Sequence, residues 1–249
     1  MTRRAMAVAV ALLVTAVGVA TAATVRAARH GPDRTGAFTG SVTRLGPRDG
    51  ELVSAYLARS RAALNGRTGS EPPGYALVAF DHYAGPAEVA ALTGGSAMVR
   101  ALVRVPLPRV QTEIVDVPAR TGADILGGMG AAAARLDAEA SGADPVSAAV
   151  DRAQADRLRD RCGCVLGAVV RADPAALRAL DRRPGIRAVE PAPPGEPLDR
   201  LVFVPLLPEQ RSRVEPPPDD GAGALAGTPA GRPGSPEPSG SPMTFGAHR

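Results

Sequence analysis

GAVVRADPAALRALDRRPGIRAVEP, residues Gly167–Pro191, is the stretch whose reading decides the fold. Its lead-in, from Val165 to Arg171, is apolar and β-branched, which predicts a strand. Asp173 then supplies a side-chain acceptor directly before Pro174, a pairing that suits a helix N-cap followed by proline at the first helical position. Leu177 and Leu180 share one face of that helix. Pro184-Gly185 ends it, and Ile186 to Val189 returns as a strand. The stretch is a strand–helix–strand unit.

A partial twin lies upstream. Tyr75–Phe80, YALVAF, is apolar on both faces, as a central strand must be. Pro86-Ala87-Glu88-Val89-Ala90-Ala91-Leu92 then matches Pro174-Ala175-Ala176-Leu177-Arg178-Ala179-Leu180 as P-A-x-[VL]-x-A-L. Gly94-Gly95 ends that helix, and Met98 to Val105 is the next strand, with Val99-Arg100-Ala101-Leu102 corresponding to Ile186-Arg187-Ala188-Val189. Two such halves predict an α+β, ferredoxin-like split β-α-β domain. Its four-stranded antiparallel sheet has YALVAF and VLGAVV as the inner pair, with both helices on one face.

Between the halves, Leu107–Arg161 is a helical insertion. Ile114, Val115 and Val117 predict a short extended piece. Ile125, Met129, Leu136 and Ala140 recur at helical spacing, although Gly127, Gly128 and Gly130 weaken the first turns. Asp144-Pro145 opens a second helix running to about Arg161, and the two are expected to form a hairpin on the flank. Upstream, Arg48–Leu64 reads as an amphipathic helix, with Leu52, Val53, Tyr56, Leu57, Ala63 and Leu64 on one side and Arg59 and Arg61 on the other. Leu201–Pro208, LVFVPLLP, is expected as an edge strand, because Pro205 forbids a central one.

The N-terminus sets the compartment. After Arg3 and Arg4, Ala5–Val25 is an uncharged run of 21 residues, and a helix needs ~20 to span a bilayer. A single-pass anchor is expected, with membrane contact through residues 5–25 and the bulk of the chain extracytoplasmic. Ala20-Thr21-Ala22 keeps open the alternative of secretion after signal-peptide cleavage. The expected organisation is an anchor at 1–26, a tether at 27–47, an α+β domain at 48–208 with its insertion at 107–161, and a disordered Pro- and Gly-rich tail at 209–249.

All 29 basic residues among the 249 are arginine, and the net charge is +4. They interleave with Asp and Glu, and aromatics make up only 3% of the chain. Nucleic acid is therefore not an expected partner: the charges describe a solvated face, without aromatic platforms for bases.

Candidate chemistry is sparse. Cys162 and Cys164 are the only cysteines, and outside the cytoplasm they form a candidate disulfide. Residues i and i+2 on a strand stand ~6.5–7 Å apart, too far for comfortable bridging, unless Gly163 allows a bend. A strained bridge would also suit thiol exchange. Asp81-His82, at the exit of the first inner strand, is a weaker candidate for a catalytic constellation. The other histidines, His30 and His248, lie in the expected tails. GADILGGMGA has no lysine and follows no strand, so it is not a phosphate loop. No catalytic residue, metal or cofactor is assigned.

The second half resembles the C-terminal half of subtilisin-type propeptides and related proteinase-inhibitor domains. Gly167-Ala168-Val169-Val170, Leu177, Leu180 and Pro184-Gly185-Ile186-Arg187-Ala188-Val189-Glu190 carry the resemblance, and YALVAF resembles the opening strand. It covers some 40 residues and implies the ferredoxin-like fold. It also implies a proteinase inhibitor or folding assistant, although Pro191-Ala192-Pro193-Pro194 departs from an inhibitory tail. The layout resembles that of membrane-anchored exported proteins of actinobacteria. The function expected is a non-enzymatic module that binds another envelope protein. Inhibition or folding assistance is the second reading, and thiol-redox chemistry at Cys162 and Cys164 the third.

Overall fold

The computed structural model describes residues 42–226. In chain order these form β1 (Thr43–Leu45), α1 (Val53–Asn65), β2 (Gly74–Ala84), α2 (Val89–Leu92), β3 (Ala97–Val103), β4 (Val115–Pro118), α3 (Gly122–Ala140), α4 (Pro145–Arg159), β5 (Val165–Ala172), α5 (Pro174–Asp181), β6 (Ile186–Pro191), β7 (Leu201–Phe203) and α6 (Ala222–Leu225). The expected anchor at residues 5–25, the tether up to residue 41 and the tail from residue 227 lie outside the described residues. No described helix is long and apolar enough to cross a membrane.

The fold is α+β, with one five-stranded antiparallel sheet in the order β4-β3-β5-β2-β6. β2 and β5 pair at its centre, with Leu77 opposite Val169 and Ala79 opposite Gly167. Gly167 is required there. A Cβ on it would lie 2.5 Å from the carbonyl oxygen of Val78, which cannot yield without opening the central pair. β5 lies between β2 and β3, and β2 lies between β5 and β6, so each strand–helix–strand unit is interrupted by a strand of the other.

The fifth strand comes from the insertion. β4 pairs with β3 from Arg100↔Pro118 to Val103↔Val115. α3 comes down on it at Gly128, where a Cβ would sit 2.2 Å from a methyl of Val117. Gly128, one of the three glycines that weaken α3 as an isolated helix, thus lets it approach the sheet. Thr121 and Asp124 form a reciprocal capping box at its start, satisfying backbone donors that the first turn leaves free.

The repeated helices differ in length for a local reason. Asp173 accepts from Ala176 N at 2.8 Å and caps the eight-residue α5. Gly85 stands at the equivalent place in the first half and offers no side chain, so α2 is a single turn of four residues. The hairpin expected of α3 and α4 forms, and it makes up for this shortfall. α3 and α4 place Ile125, Met129, Leu136, Ala155 and Leu158 in the same core as Val78, Phe80, Val103 and Val170, completing a cover that α2 and α5 are too short to make.

The opposite face is covered too. Leu77, Leu102 and Leu166 pack against Leu45, Leu201 and Leu207, while Ala79 and Ala188 pack against Val53, Tyr56, Leu206 and Val214. β7 is therefore not an edge strand of the main sheet. It pairs in parallel with β1, Thr43 opposite Leu201, as a separate ribbon beneath the sheet. The β6 edge, where such a strand would add, is flanked by α1.

Two boundaries also move. α1 begins at Val53 rather than Arg48, because the preceding residues turn to bond with the returning chain: Gly50 N donates to Val214 O at 2.8 Å and Val53 N to Ser212 O at 3.0 Å. Ser60 is buried, while Leu52 and Ala63 face solvent. The segment from Glu209, expected as patternless tail, is packed as far as Ala226. Gln111 N donates to Asp219 at 2.9 Å, Gln111 Nε2 donates to Pro217 O at 2.8 Å, and Gly221 N donates to Arg109 O at 2.8 Å. Isolated bonds of this kind leave no periodicity to read.

Replacing Gly167 with alanine should cost about 1–3 kcal/mol of stability, since the new methyl meets fixed backbone. Gly130, in the interior of α3 with nothing within 4 Å of an added Cβ, is the control. Gly130→Ala should stabilise by about 0.5–1 kcal/mol. Urea unfolding of both variants checks the two signs; a stable Gly167→Ala protein would contradict the central register.

Candidate functional site

Cys162 and Cys164 join the end of α4 to the start of β5 by a disulfide, with their Cα atoms 5.3 Å apart. This is shorter than strand spacing because the pair precedes β5. Arg161 adopts a positive φ of 55°, and Cys162 N returns to Arg157 O at 3.1 Å, so the backbone is still leaving the helix. Cys164 is fully buried and Cys162 half-buried. Cys162 sits just past the C-terminus of α4, where the final carbonyls oppose a thiolate. That placement suits a structural staple better than an exchange site.

Asp81 and His82 lie near the end of β2, where its register with β5 shifts between Ala79 and Ala84. His82 Nδ1 is 2.5 Å from Asp81 Oδ1 and Nε2 is 2.8 Å from Glu88 Oε1. Hydrogen bonds to Asp81, and then to Glu88, hold its pKa above the ordinary value. Both ring nitrogens are thus engaged by carboxylates, and neither is free to take a proton from a nucleophile. The arrangement ties the end of β2 to the turn before α2. Among the described residues, no group of three His, Cys, Asp or Glu is arranged to hold a metal ion.

Two further clusters fasten the covering segments. Arg104, 3% exposed, donates to Glu209 at 2.6 Å and to the Tyr83 hydroxyl at 2.5 Å, while Nε reaches Thr112 O at 3.3 Å. Burial, with the nearby Arg104 opposing it, pushes the Tyr83 phenol up to about 12. Glu190 of β6 accepts from Gly46 N at 2.7 Å and from Arg59 at 2.8 Å, and Arg59 also bonds Glu51 at 3.2 Å and lies over the Tyr56 ring. Sequence reasoning missed both clusters. Their signal was a charge within an apolar strand, Arg104 in one case and Glu190 in the other, because a buried charge requires a partner.

A concavity lies at the other end of the central strands, where β2 begins and β5 and β6 end. It measures about 300 Å³, and seven of its lining residues are proline, among them Pro73, Pro174, Pro191 and Pro194. Proline fixes φ and removes a backbone donor, so these walls are rigid and poor in N–H groups. Polar recognition falls to side chains. Arg67 is engaged by Glu71 at 2.7 Å. Arg171 and Tyr75 stand directly opposite each other on β5 and β2, so their side chains leave the same face of the sheet. Neither the Arg171 guanidinium, the Tyr75 hydroxyl nor the Glu196 carboxylate has a partner among the described residues.

The His82 bridge makes a pH prediction. Its raised pKa means that the bridge contributes stability fully below the unfolded value of 6.5 and loses it as pH rises through the folded value. His82→Gln should therefore lower the urea midpoint relative to the parent at pH 5.5, with the gap closing by pH 8.5. An equal gap at both values would contradict the bridge.

Comparison with protein-family models, with curated proteins and with solved structures returns no match for this chain.

Proposed function

We propose that the chain is a membrane-tethered, extracytoplasmic protein whose domain, ferredoxin-like in its split β-α-β arrangement, binds another envelope protein and is not an enzyme. The observation that carries this reading is the contrast between the end-of-sheet cleft and the two candidate sites elsewhere, the cysteine pair and the Asp81-His82 pair. The cleft keeps Arg171, Tyr75 and Glu196 uncommitted among the described residues, whereas Asp81, His82, Cys162 and Cys164 are held in pairs that fix one element to the next. A rigid, preformed concavity loses little entropy when it binds.

The apolar run at residues 5–25 and the cysteine pair both suit a location beyond the cytoplasmic membrane. Secretion after cleavage would leave the same domain free in that compartment. The ferredoxin-like assignment is supported by the interleaved order β3-β5-β2-β6 within the sheet. The proteinase-inhibitor reading is less well supported, because the chain after β6 does not leave as an extended arm. Ala192 N bonds Tyr75 O at 2.8 Å, Gly195 turns with φ 73°, and β7 runs beneath the sheet. Thiol exchange is disfavoured by the seat of Cys162 at a helix C-terminus.

Site-directed photocrosslinking in native membranes tests the proposal. A photoreactive residue at Pro194, on the cleft wall, should capture a discrete protein species. The same residue at Arg152, on exposed α4, should not. Equal labelling from both positions, or none from Pro194, would contradict a protein-binding cleft.

A further inference from the structure

Resting on that reading, we infer that the cleft recognises a carboxylate presented by an extended peptide segment of the partner, with Arg171 and Tyr75 as its receptor. The placement of the two residues is the basis. They form a directly opposed cross-strand pair that lines the cleft, which brings a guanidinium and a phenol hydroxyl to one side of the sheet. Both are donors, and a carboxylate can accept from both at once. Arg67 is already engaged by Glu71, so Arg171 is the lining cation left for a ligand.

Glu196 decides what kind of anion fits. The residue lines the same cleft; its negative charge repels a polyanion, while its oxygens can accept hydrogen bonds from N–H donors. A peptide supplies both requirements, a carboxylate for Arg171 and backbone amides for Glu196. The proline walls offer apolar surface and almost no competing donors. A volume of about 300 Å³ is at the small end of ligand sites, enough for one or two residues with the rest of the peptide running over the rim.

Isothermal titration of the full chain in detergent micelles tests this with three probes. They are the capped peptide acetyl-Ala-Leu-Glu-Leu-Ala-amide, its Gln counterpart, and N-acetylglutamate as the free small acid. The Glu peptide should bind at least about tenfold more tightly than either of the others. Arg171→Gln should weaken it about tenfold, and Tyr75→Phe about threefold, through loss of charge-assisted and neutral donors respectively. Because Arg171 is exposed and unpaired, its replacement should leave the unfolding midpoint unchanged. Three results would each overturn the inference: no binding of the Glu peptide, equal binding of the Gln peptide, or an affinity unaffected by Arg171→Gln. Equal binding of N-acetylglutamate would overturn the peptide assignment in favour of a small acid. If Pro194 crosslinking to a protein persists unchanged in Arg171→Gln, the binding module stands and the carboxylate receptor falls.

Discussion

A sheet whose central strands are apolar on both faces must be covered twice, and that requirement organises this molecule. Ala76 to Phe80 on β2 and Val165 to Val170 on β5 are buried almost without interruption. One face is closed by the helices, with α3 and α4 supplying what the short repeated helices lack. The other is closed by chain from both ends of the domain, β1 from the N-terminal side and β7 with Leu206, Leu207 and Val214 from the C-terminal side.

The second cover has little regular structure, so its hold on the sheet depends on specific polar contacts. Glu209 reaches the buried Arg104, and Gly46 with Arg59 reaches the buried Glu190. Such charges contribute most by what their loss would cost. Removing Glu209 would leave a guanidinium in a site 3% exposed, and an uncompensated buried charge is strongly destabilising. With both faces closed, a concave surface of about 300 Å³ lies at the end of the sheet, among the prolines that terminate β6 and precede β2.

Much of this was legible in the chain. The strand–cap–helix–strand signature around Asp173-Pro174 and its twin at Pro86 gave the central strands, because proline, caps and apolar runs act locally. What failed to show was long-range. Nothing near Leu201–Phe203 says that its partner is Thr43–Leu45, and nothing around Gly128 says that Val117 will rest on it. The cysteine and Asp-His pairs were visible as residues, but whether their atoms are free or engaged depends on neighbours such as Glu88, which only folding brings into reach. The cleft was invisible for the same reason: Tyr75, Arg171 and Glu196 are far apart along the chain.

Native-state hydrogen exchange with mass spectrometry tests the doubly covered sheet most directly. The hydrogen-bonded amides of residues 201–214, among them Val204 and Val214, should exchange only through the same cooperative opening that exposes residues 75–80 and 165–170, since this second cover is part of one folding unit. Exchange of 201–214 at the rate of an unprotected chain, while β2 and β5 remain protected, would show that the second face is open and would contradict the account.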